Sequence, residues 1–452
     1  MARKLVIHTL QLSLLHLLVD GVCACGLMLM SGRTVSDLQA YGMIVLYDVL
    51  AFATQPLTGH WVDKSGLRPR ALQLAAVLLA SGALVSALPF SPSVLTATAG
   101  AVLLGMGNSL FHVYGGKYVA VASGNDIRAM GVFVSTGAVG LAIGLGFSSL
   151  MLLAAFLLAF LALSALHLRD ASRHRPVPSP LHTESGQVTS APASAATPTG
   201  SAVVPVLYLF CLMLVVAGRA CIGESVPSLR TNIPSVDPPV VMVVVSLIVM
   251  VGKAAGGFLS RRWWVRNVFC ASLLLSAAFF MMCPWHAAFV LLTLFLINLS
   301  MPCTLYLATK SVPGREGWAF GLLAMALLPG YLAGYLTKGD ATCQALLVPL
   351  MATILLEGLL LLFMRERRWQ VLAASVVLNI FTNVPLNAFI MAYGVTSPLC
   401  FVGLECVVVV VEFVGYWLVL HDRRKAFWYS LLCNSFSALV GFLFQLFLTV
   451  LL

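Results

Sequence analysis

Charge is scarce in this sequence. Asp, Glu, Lys and Arg make up 9% of the 452 residues, while hydrophobic types make up 60% and the mean hydropathy is +0.98. A soluble domain carries about 25% charged and 45–50% apolar residues, so this composition excludes a soluble globular protein. Alternating segments of about 10 residues are also missing, which removes a transmembrane β-barrel. The chain has no glycine loop ending in Gly-Lys-Ser/Thr, so ATP-driven pumping is not expected. Its 11 cysteines include no CxxC pair; they are scattered through apolar runs, and Cys23 and Cys25 point about 200° apart on a helix. They read as small buried apolar residues. His and Cys show no metal-ligand spacing. Neither a cofactor, nor a metal, nor an enzymatic activity is therefore expected. The net charge of +10 falls in short loops rather than on one soluble face, which argues against nucleic acid as a partner.

What the sequence does have is long apolar runs, at about 20 residues per membrane-spanning helix. The pattern predicts an all-α polytopic membrane protein of roughly fifteen spans. Six lie near 5–29, 40–57, 71–90, 95–120, 130–147 and 150–167. Residues 169–203 form a linker rich in Ser, Ala, Pro and Thr that cannot bury a core. Six more spans lie near 205–220, 240–259, 268–282, 287–308, 318–336 and 343–363, and three extra ones near 371–393, 399–420 and 427–452. The expected division is 1–168, a first six-helix half; 169–203, a flexible cytoplasmic linker; 204–365, a second half; and 366–452, a three-helix extension. Arg3 and Lys4 followed by an apolar run suggest a signal peptide. The run is too long for one, however, and contains Asp20, so it reads as a retained first helix. With the N-terminus cytoplasmic, nearly every Lys and Arg falls in a cytoplasmic loop. Only Arg33, Arg230 and Lys338 fall outside, as the positive-inside rule requires. An odd number of spans puts the C-terminus outside, most naturally in a plasma (inner) membrane.

One polar stretch, Gly59-His-Trp-Val-Asp63-Lys64-Ser-Gly66-Leu-Arg68-Pro-Arg70, interrupts the apolar pattern between the second and third helices and reads as a tight, charged connection. A weaker echo, Gly257-Phe-Leu-Ser-Arg261-Arg262, follows the eighth helix. Asn108 and Asn298 each sit in the fourth helix of their half, with Lys117 and Lys310 near the ends. Correspondence between halves is the pattern of a parallel-repeat transporter. The stretch resembles the loop signature of the major facilitator superfamily, with Gly59, Asp63, Lys64, Gly66, Arg68 and Arg70 in its positions. In the fifth helix Gly131, Gly140 and Gly144 keep the glycine spacing associated with that family's antiporters. His16-Leu-Leu-Val-Asp20 and Gly105-Met-Gly-Asn108-Ser-Leu-Phe111-His112 are similar to the fosmidomycin-resistance-like branch of drug exporters. The resemblance covers about residues 1 to 365. It implies a 6+6 helix bundle working by alternating access, a small organic solute as substrate and protons as coupling ions.

Intramembrane charge is costly and marks candidate sites. Asp20, one turn after His16 on the same helix face, is a candidate proton site, and otherwise a structural carboxylate bonded to a neighbouring helix. Asp48 and His112 are further cavity or proton candidates. In the second half Arg219, Glu224 and Lys253 are candidates, the cations to counter a buried acid or an anionic substrate, although Lys253 could equally snorkel. Tyr306, Pro329, Tyr331 and Tyr335 could line or hinge the cavity. The stretch 59–70 is expected to gate: glycine allows close helix approach, and Asp63 can accept hydrogen bonds at a helix end or pair with a cation. At the C-terminus Asn379, Asn383 and Asn387 recur every four residues. Glu405 and Glu412 are seven apart, and Asn434 lies on a polar face of the last helix with Ser430 and Ser437. Three such stripes imply a shared interior, either hydrogen-bonded glue or a cation or proton relay. The functional expectation is a secondary transporter, proton-coupled and directed outward; uptake, or a non-transporting sensor or scaffold, are the alternatives.

Overall fold

The computed structural model describes residues 2–34, 37–65, 69–89, 93–173, 203–225, 238–283, 286–336 and 398–451, with scattered positions between 353 and 386. Most of the expected linker, together with Gly66, Arg68 and Asn387, lies outside the described residues. Among the described residues all regular structure is helical, as the composition predicts. In chain order the helices are α1 (Ala2–Ser31), α2 (Asp37–Asp48), a π-helical turn (Val49–Ala53), α3 (Gln55–Ser65), α4 (Arg70–Ala87), α5 (Val94–Ala122), α6 (Ile127–Ser135), α7 (Gly137–Gly146), α8 (Leu150–Arg173), α9 (Val203–Ser225), α10 (Pro238–Trp263), α11 (Val265–Met282), α12 (Ala287–Asn298), α13 (Ser300–Ser311), α14 (Glu316–Met325), α15 (Leu327–Leu336), α16 (Pro398–Leu420) and α17 (Arg423–Leu451). Nine helices among the described residues are long and apolar enough to cross a membrane. Two of these spans join helix pairs, α6 with α7 and α12 with α13, and the expected spans near 40–57 and 318–336 are interrupted.

Three interruptions follow from proline. A proline removes one backbone donor and its ring crowds the carbonyl four residues earlier. Pro302 and Pro329 oppose Asn298 and Met325, and α12 and α14 end at those two residues. Pro56 opposes Phe52, which lies in the π-helical turn before α3. Two expected boundaries are corrected. Gly59 to Ser65 is not a turn but the last part of α3. α8 runs on through Asp170 to Arg173, past the point where the apolar run ends.

The chain folds as two compact units. One comprises Met1–Met213, Pro238–Met250 and Thr304–Ala326; the other Leu214–Asp237, Val251–Cys303 and Leu327–Leu452. In the first, α1 is the central helix, packed against α4, α5, α7 and α8, while α14 packs on α3 and α5. The approach of α7 to α1 is set by glycine: a side chain at Gly140 would meet the Leu17 backbone, and one at Gly144 the backbone of Gly21 and Cys25. Without a hydrophobic drive between helices in lipid, such close van der Waals contact is what holds a pair together. In the second unit Gly252 and Gly256 of α10 lie against the backbone at Phe295 and Leu299 in the same way. There α11 pairs with α12, and α16 with α17.

Candidate functional site

The first unit brings three of the expected residues together. Asp20 Oδ2 lies 3.4 Å from His16 Nε2, and Oδ1 lies 3.5 Å from His112 Nε2. Asn108 Nδ2 donates to Oδ1 at 3.2 Å, while Asn108 Oδ1 is buried without a hydrogen-bond partner. The two imidazole Nε2 atoms are 2.8 Å apart. Ring walls come from Phe111 and Phe133, 6.3 and 5.1 Å from the His16 ring. A side chain at Gly137 would collide with both Asp20 Oδ2 and His16 Nε2.

Local structure selects the tautomer of these rings. The interruption between α6 and α7 at Thr136 leaves Phe133 O available, and His16 Nδ1 lies 2.8 Å from it. His112 Nδ1 lies 3.0 Å from Asn108 O, one turn earlier in α5. A carbonyl only accepts, so each Nδ1 carries its hydrogen. Two neutral rings would then present bare Nε2 lone pairs to each other at 2.8 Å, which is repulsive. One added proton converts that contact into an N–H···N hydrogen bond, and the Asp20 carboxylate balances the charge. The three ligand atoms lie within 4.8 Å of one another, and no other trio of His, Cys, Asp or Glu converges so among the described residues.

The stretch that begins at Gly59 forms a second site in the same unit. Asp63 Oδ1 and Oδ2 accept from the backbone N–H groups of Gly317 and Trp318, at 2.9 and 2.8 Å, which are the second and third residues of α14. A carboxylate from one helix thus caps the positive end of another, satisfying orphan donors and the dipole together. Lys117 Nζ, buried, lies 3.2 Å from Asp63 Oδ1 and donates to Val62 O at 2.9 Å. Gly59 lies directly on the Gly317 backbone, where a side chain would clash. Lys64 and Arg70 are exposed.

The remaining expected residues are more dispersed. Asp48, at the end of α2, is half-buried. Arg219 of α9 is buried, its Nη1 without a hydrogen-bond partner, with Tyr331 and Cys303 nearby. Lys253 is half-buried in α10, and Glu224 lies on α9. Tyr306 accepts from Lys310 Nζ at 3.1 Å.

Part of the C-terminal polar set does share an interior. Glu412, Asn379 and Asn434 are buried, Glu405 is half-buried, and Asn383 donates to Asn379 Oδ1 at 2.8 Å. Sequence reasoning missed Glu357, which is fully buried and accepts from Asn379 at 2.7 Å. At the turn that follows, Glu366 is held by Arg368, by the Arg368 N–H and by Tyr429. These contacts keep its carboxyl down at about 2, with the Arg368 side-chain hydrogen bond the largest cause. Also missed was a buried polar network in the first unit. There Gln11 donates to Asp170 at 3.0 Å, His167 meets Gln11 Oε1 at 3.2 Å, and the Tyr114 hydroxyl meets His167 at 3.3 Å. A four-residue spacing between His167 and Tyr114 would have signalled it; they are 53 apart.

The model of the Major Facilitator Superfamily matches residues 22–335. This chain belongs to the major facilitator superfamily. Among solved structures it is similar to the human organic anion transporter MFSD10 (TETRAN), at 17% identity, covering 84% of this chain and 98% of that one, with a TM-score of 0.52. The E. coli fucose:proton symporter FucP matches at 14% identity over 73% of this chain and 91% of its own, with a TM-score of 0.49. A bacterial homologue of the iron transporter ferroportin, in an outward-facing state, matches at 14% identity over 85% and 99%, with a TM-score of 0.48. No curated protein matches the sequence. The protein is thus a multi-pass integral membrane protein of a transporter family, and the Asp63 cap falls on that family's loop signature. The matched span stops before Glu357 and the C-terminal helices.

Proposed function

We propose that this superfamily member is a proton-coupled secondary transporter that moves a small organic solute outward by alternating access, with the His16–Asp20–His112 trio carrying the coupling proton. The observation that carries the reading is the 2.8 Å contact between the two Nε2 atoms, both Nδ1 atoms being engaged by carbonyls. That geometry is attractive with one proton bound and repulsive without it. Loss of the proton therefore changes the packing of α1 against α5, which is the kind of differential interaction a coupling ion needs to bias two conformations. Asn108 steadies the carboxylate and keeps one oxygen for a donor arriving with the solute. The Asp63 cap holds α3 against α14 in the present conformation and has to release in any state where those helices separate.

Outward direction rests on the resemblance of the His16-to-Asp20 and Gly105-to-His112 stretches to the fosmidomycin-resistance-like exporters. The orientation with a cytoplasmic N-terminus, in a plasma membrane, rests on the distribution of Lys and Arg.

The test is solute-evoked proton movement in proteoliposomes containing a pH-sensitive dye, with an imposed pH gradient and a panel of small organic solutes. At least one solute should drive proton flux through the wild type, and none through Asp20→Asn. Solute movement that continues undiminished in Asp20→Asn would remove the trio from coupling. Movement of a solute without any proton flux would remove coupling itself.

A further inference from the structure

The surroundings of Glu357 and Glu412 repeat. The two glutamates are separated by 55 positions, and the same separation relates Ser375 to Ser430, Asn379 to Asn434 and Thr382 to Ser437. Between glutamate and asparagine both copies span 22 positions. Both also turn through a left-handed residue, Arg365 with φ 61° and His421 with φ 53°. An acid then caps the next helix: Glu366 accepts from Arg368 N at 2.8 Å, and Asp422 from Lys425 N at 3.1 Å. One helical hairpin therefore occurs twice, and its first copy begins before the expected extension.

The hydrogen bonds obey the same two-fold relation. Asn379 Nδ2 donates to Glu357 Oε2 at 2.7 Å and to Ser375 O at 2.9 Å. Asn434 Nδ2 donates to Glu412 Oε2 at 2.6 Å and to Ser430 O at 2.9 Å. Each amide thereby engages both its hydrogens. The second oxygen of each glutamate crosses to the other hairpin: Glu357 Oε1 lies 3.3 Å from Ser437 Oγ, and Glu412 Oε1 lies 3.0 Å from Thr382 Oγ1. A hydroxyl has one hydrogen, and both of these stand closer to a carbonyl of their own helix, Asn434 O at 3.2 Å and Leu378 O at 2.8 Å. With the hydroxyl hydrogen on that carbonyl, a lone pair faces the glutamate. A carboxylate oxygen cannot bond to a lone pair, whereas the O–H of a carboxylic acid can. Ser375 Oγ adds a long contact to Glu357 Oε2 at 3.5 Å.

No Lys, Arg or His among the described residues pairs with either acid, and both are fully buried. The titratable groups around them are Glu405, Tyr416 and Cys433, none of which supplies positive charge. Independently, the Tyr416 hydroxyl is fully buried and within electrostatic range of both glutamates. Although Ser375 lies alongside, this hydroxyl makes no hydrogen bond of normal geometry. Cys433 and Ser375 stand beside it, and its O–H can turn to a glutamate that loses its proton.

We propose that Glu357 and Glu412 form a proton-exchange site built from the duplicated hairpin, separate from the Asp20 trio: each acid, when protonated, donates across to the hydroxyl of the other hairpin, and Tyr416 receives the anion when a proton leaves. The ligand is the proton itself. The donors pointing at both acids distinguish this arrangement from a cation cage, in which oxygens would converge on one point.

The test uses the full chain in liposomes, labelled with the hydrophobic reagent dicyclohexylcarbodiimide, which modifies carboxylic acids in their protonated form. Label at each glutamate is read by peptide mass spectrometry over a pH series. Both Glu357 and Glu412 should be labelled at neutral pH and lose label as pH rises, and Tyr416→Phe should extend labelling to higher pH. Label that is indifferent to pH, or that sodium ions displace in a concentration-dependent way, would overturn the proposal. A second variant keeps the test decisive if labelling is blocked sterically. Glu357→Gln with Glu412→Gln reproduces the protonated hydrogen-bond pattern, so the double variant should fold and melt as the wild type does. Its failure to fold would mean that the pair is held ionised, contrary to the proposal.

Discussion

The Asp20 trio and the Glu357–Glu412 pair are both buried acid sites on helices, yet their surroundings differ in kind. Asp20 has two imidazoles within 3.5 Å, so its charge can be balanced where it stands. The glutamates have only amides and hydroxyls, none of which carries a balancing charge. An isolated ionised carboxylate in a medium of low dielectric is far too costly to persist. The comparison teaches that the number of buried acids says little about charge; the partners of each acid decide it. It also separates the roles: a proton leaving the trio leaves two lone pairs opposed, while one leaving the pair leaves an anion to be caught by Tyr416.

The contrast can be broken by substitution, and the largest effect is expected at Asp20. Asp20→Asn removes the balancing charge and should lower proton-coupled transport by about a hundredfold, the scale of losing a proton-transferring group, measured as dye-reported flux. Glu412→Gln, by contrast, keeps the protonated hydrogen-bond pattern and should leave the melting temperature near wild type; marked destabilisation would erase the distinction drawn here. Next, Gly137→Val drives a side chain into Asp20 and His16. Overpacking of this kind costs about 1–3 kcal/mol, and a thermal melt should register it together with lost transport. Third, Asp63→Asn weakens the cap on α14. Helix caps contribute about 1 kcal/mol, so turnover should change by up to about tenfold with solute binding little altered. A change in binding without one in turnover would remove the gating role. The smallest effect concerns Glu366, held at about 2 against its ordinary 4.5. A depressed carboxyl stabilises above its unfolded value and stops doing so as pH falls through its folded one. Its contribution should therefore be constant above pH 4.5 and vanish towards pH 2. Because Arg368 is half exposed, Glu366→Gln should cost no more than about 1 kcal/mol at neutral pH, read by denaturant melts at two pH values.

Much of the fold was legible because it depends on local pattern. Apolar runs placed the helices of the described residues to within a few positions, and prolines at 56, 302 and 329 mark interruptions that hydropathy alone passes over. His16, Asp20 and His112 were each recognisable as polar residues in apolar helices, but their convergence was not, since it joins positions 96 apart. Gly59 and Asp63 led to the expectation of a gate without revealing that Gly317 and Trp318 lie against them. The helical character of Gly59 to Ser65 was hidden by its charge, because a helix that leaves the membrane no longer looks apolar. Glu357 escaped notice for a related reason: one acid in an otherwise apolar helix carries no stripe, and its meaning lies in a repeat whose copies share only a handful of residues.

The account's central claim is the proton shared between His16 and His112, and imidazole-nitrogen NMR on protein labelled with 15N at histidine tests it most directly. A scalar coupling across the hydrogen bond between the two Nε2 atoms is predicted, vanishing in His112→Gln and at pH high enough to remove the proton. Two uncoupled, unprotonated Nε2 resonances that stay unchanged as the pH is lowered would contradict it.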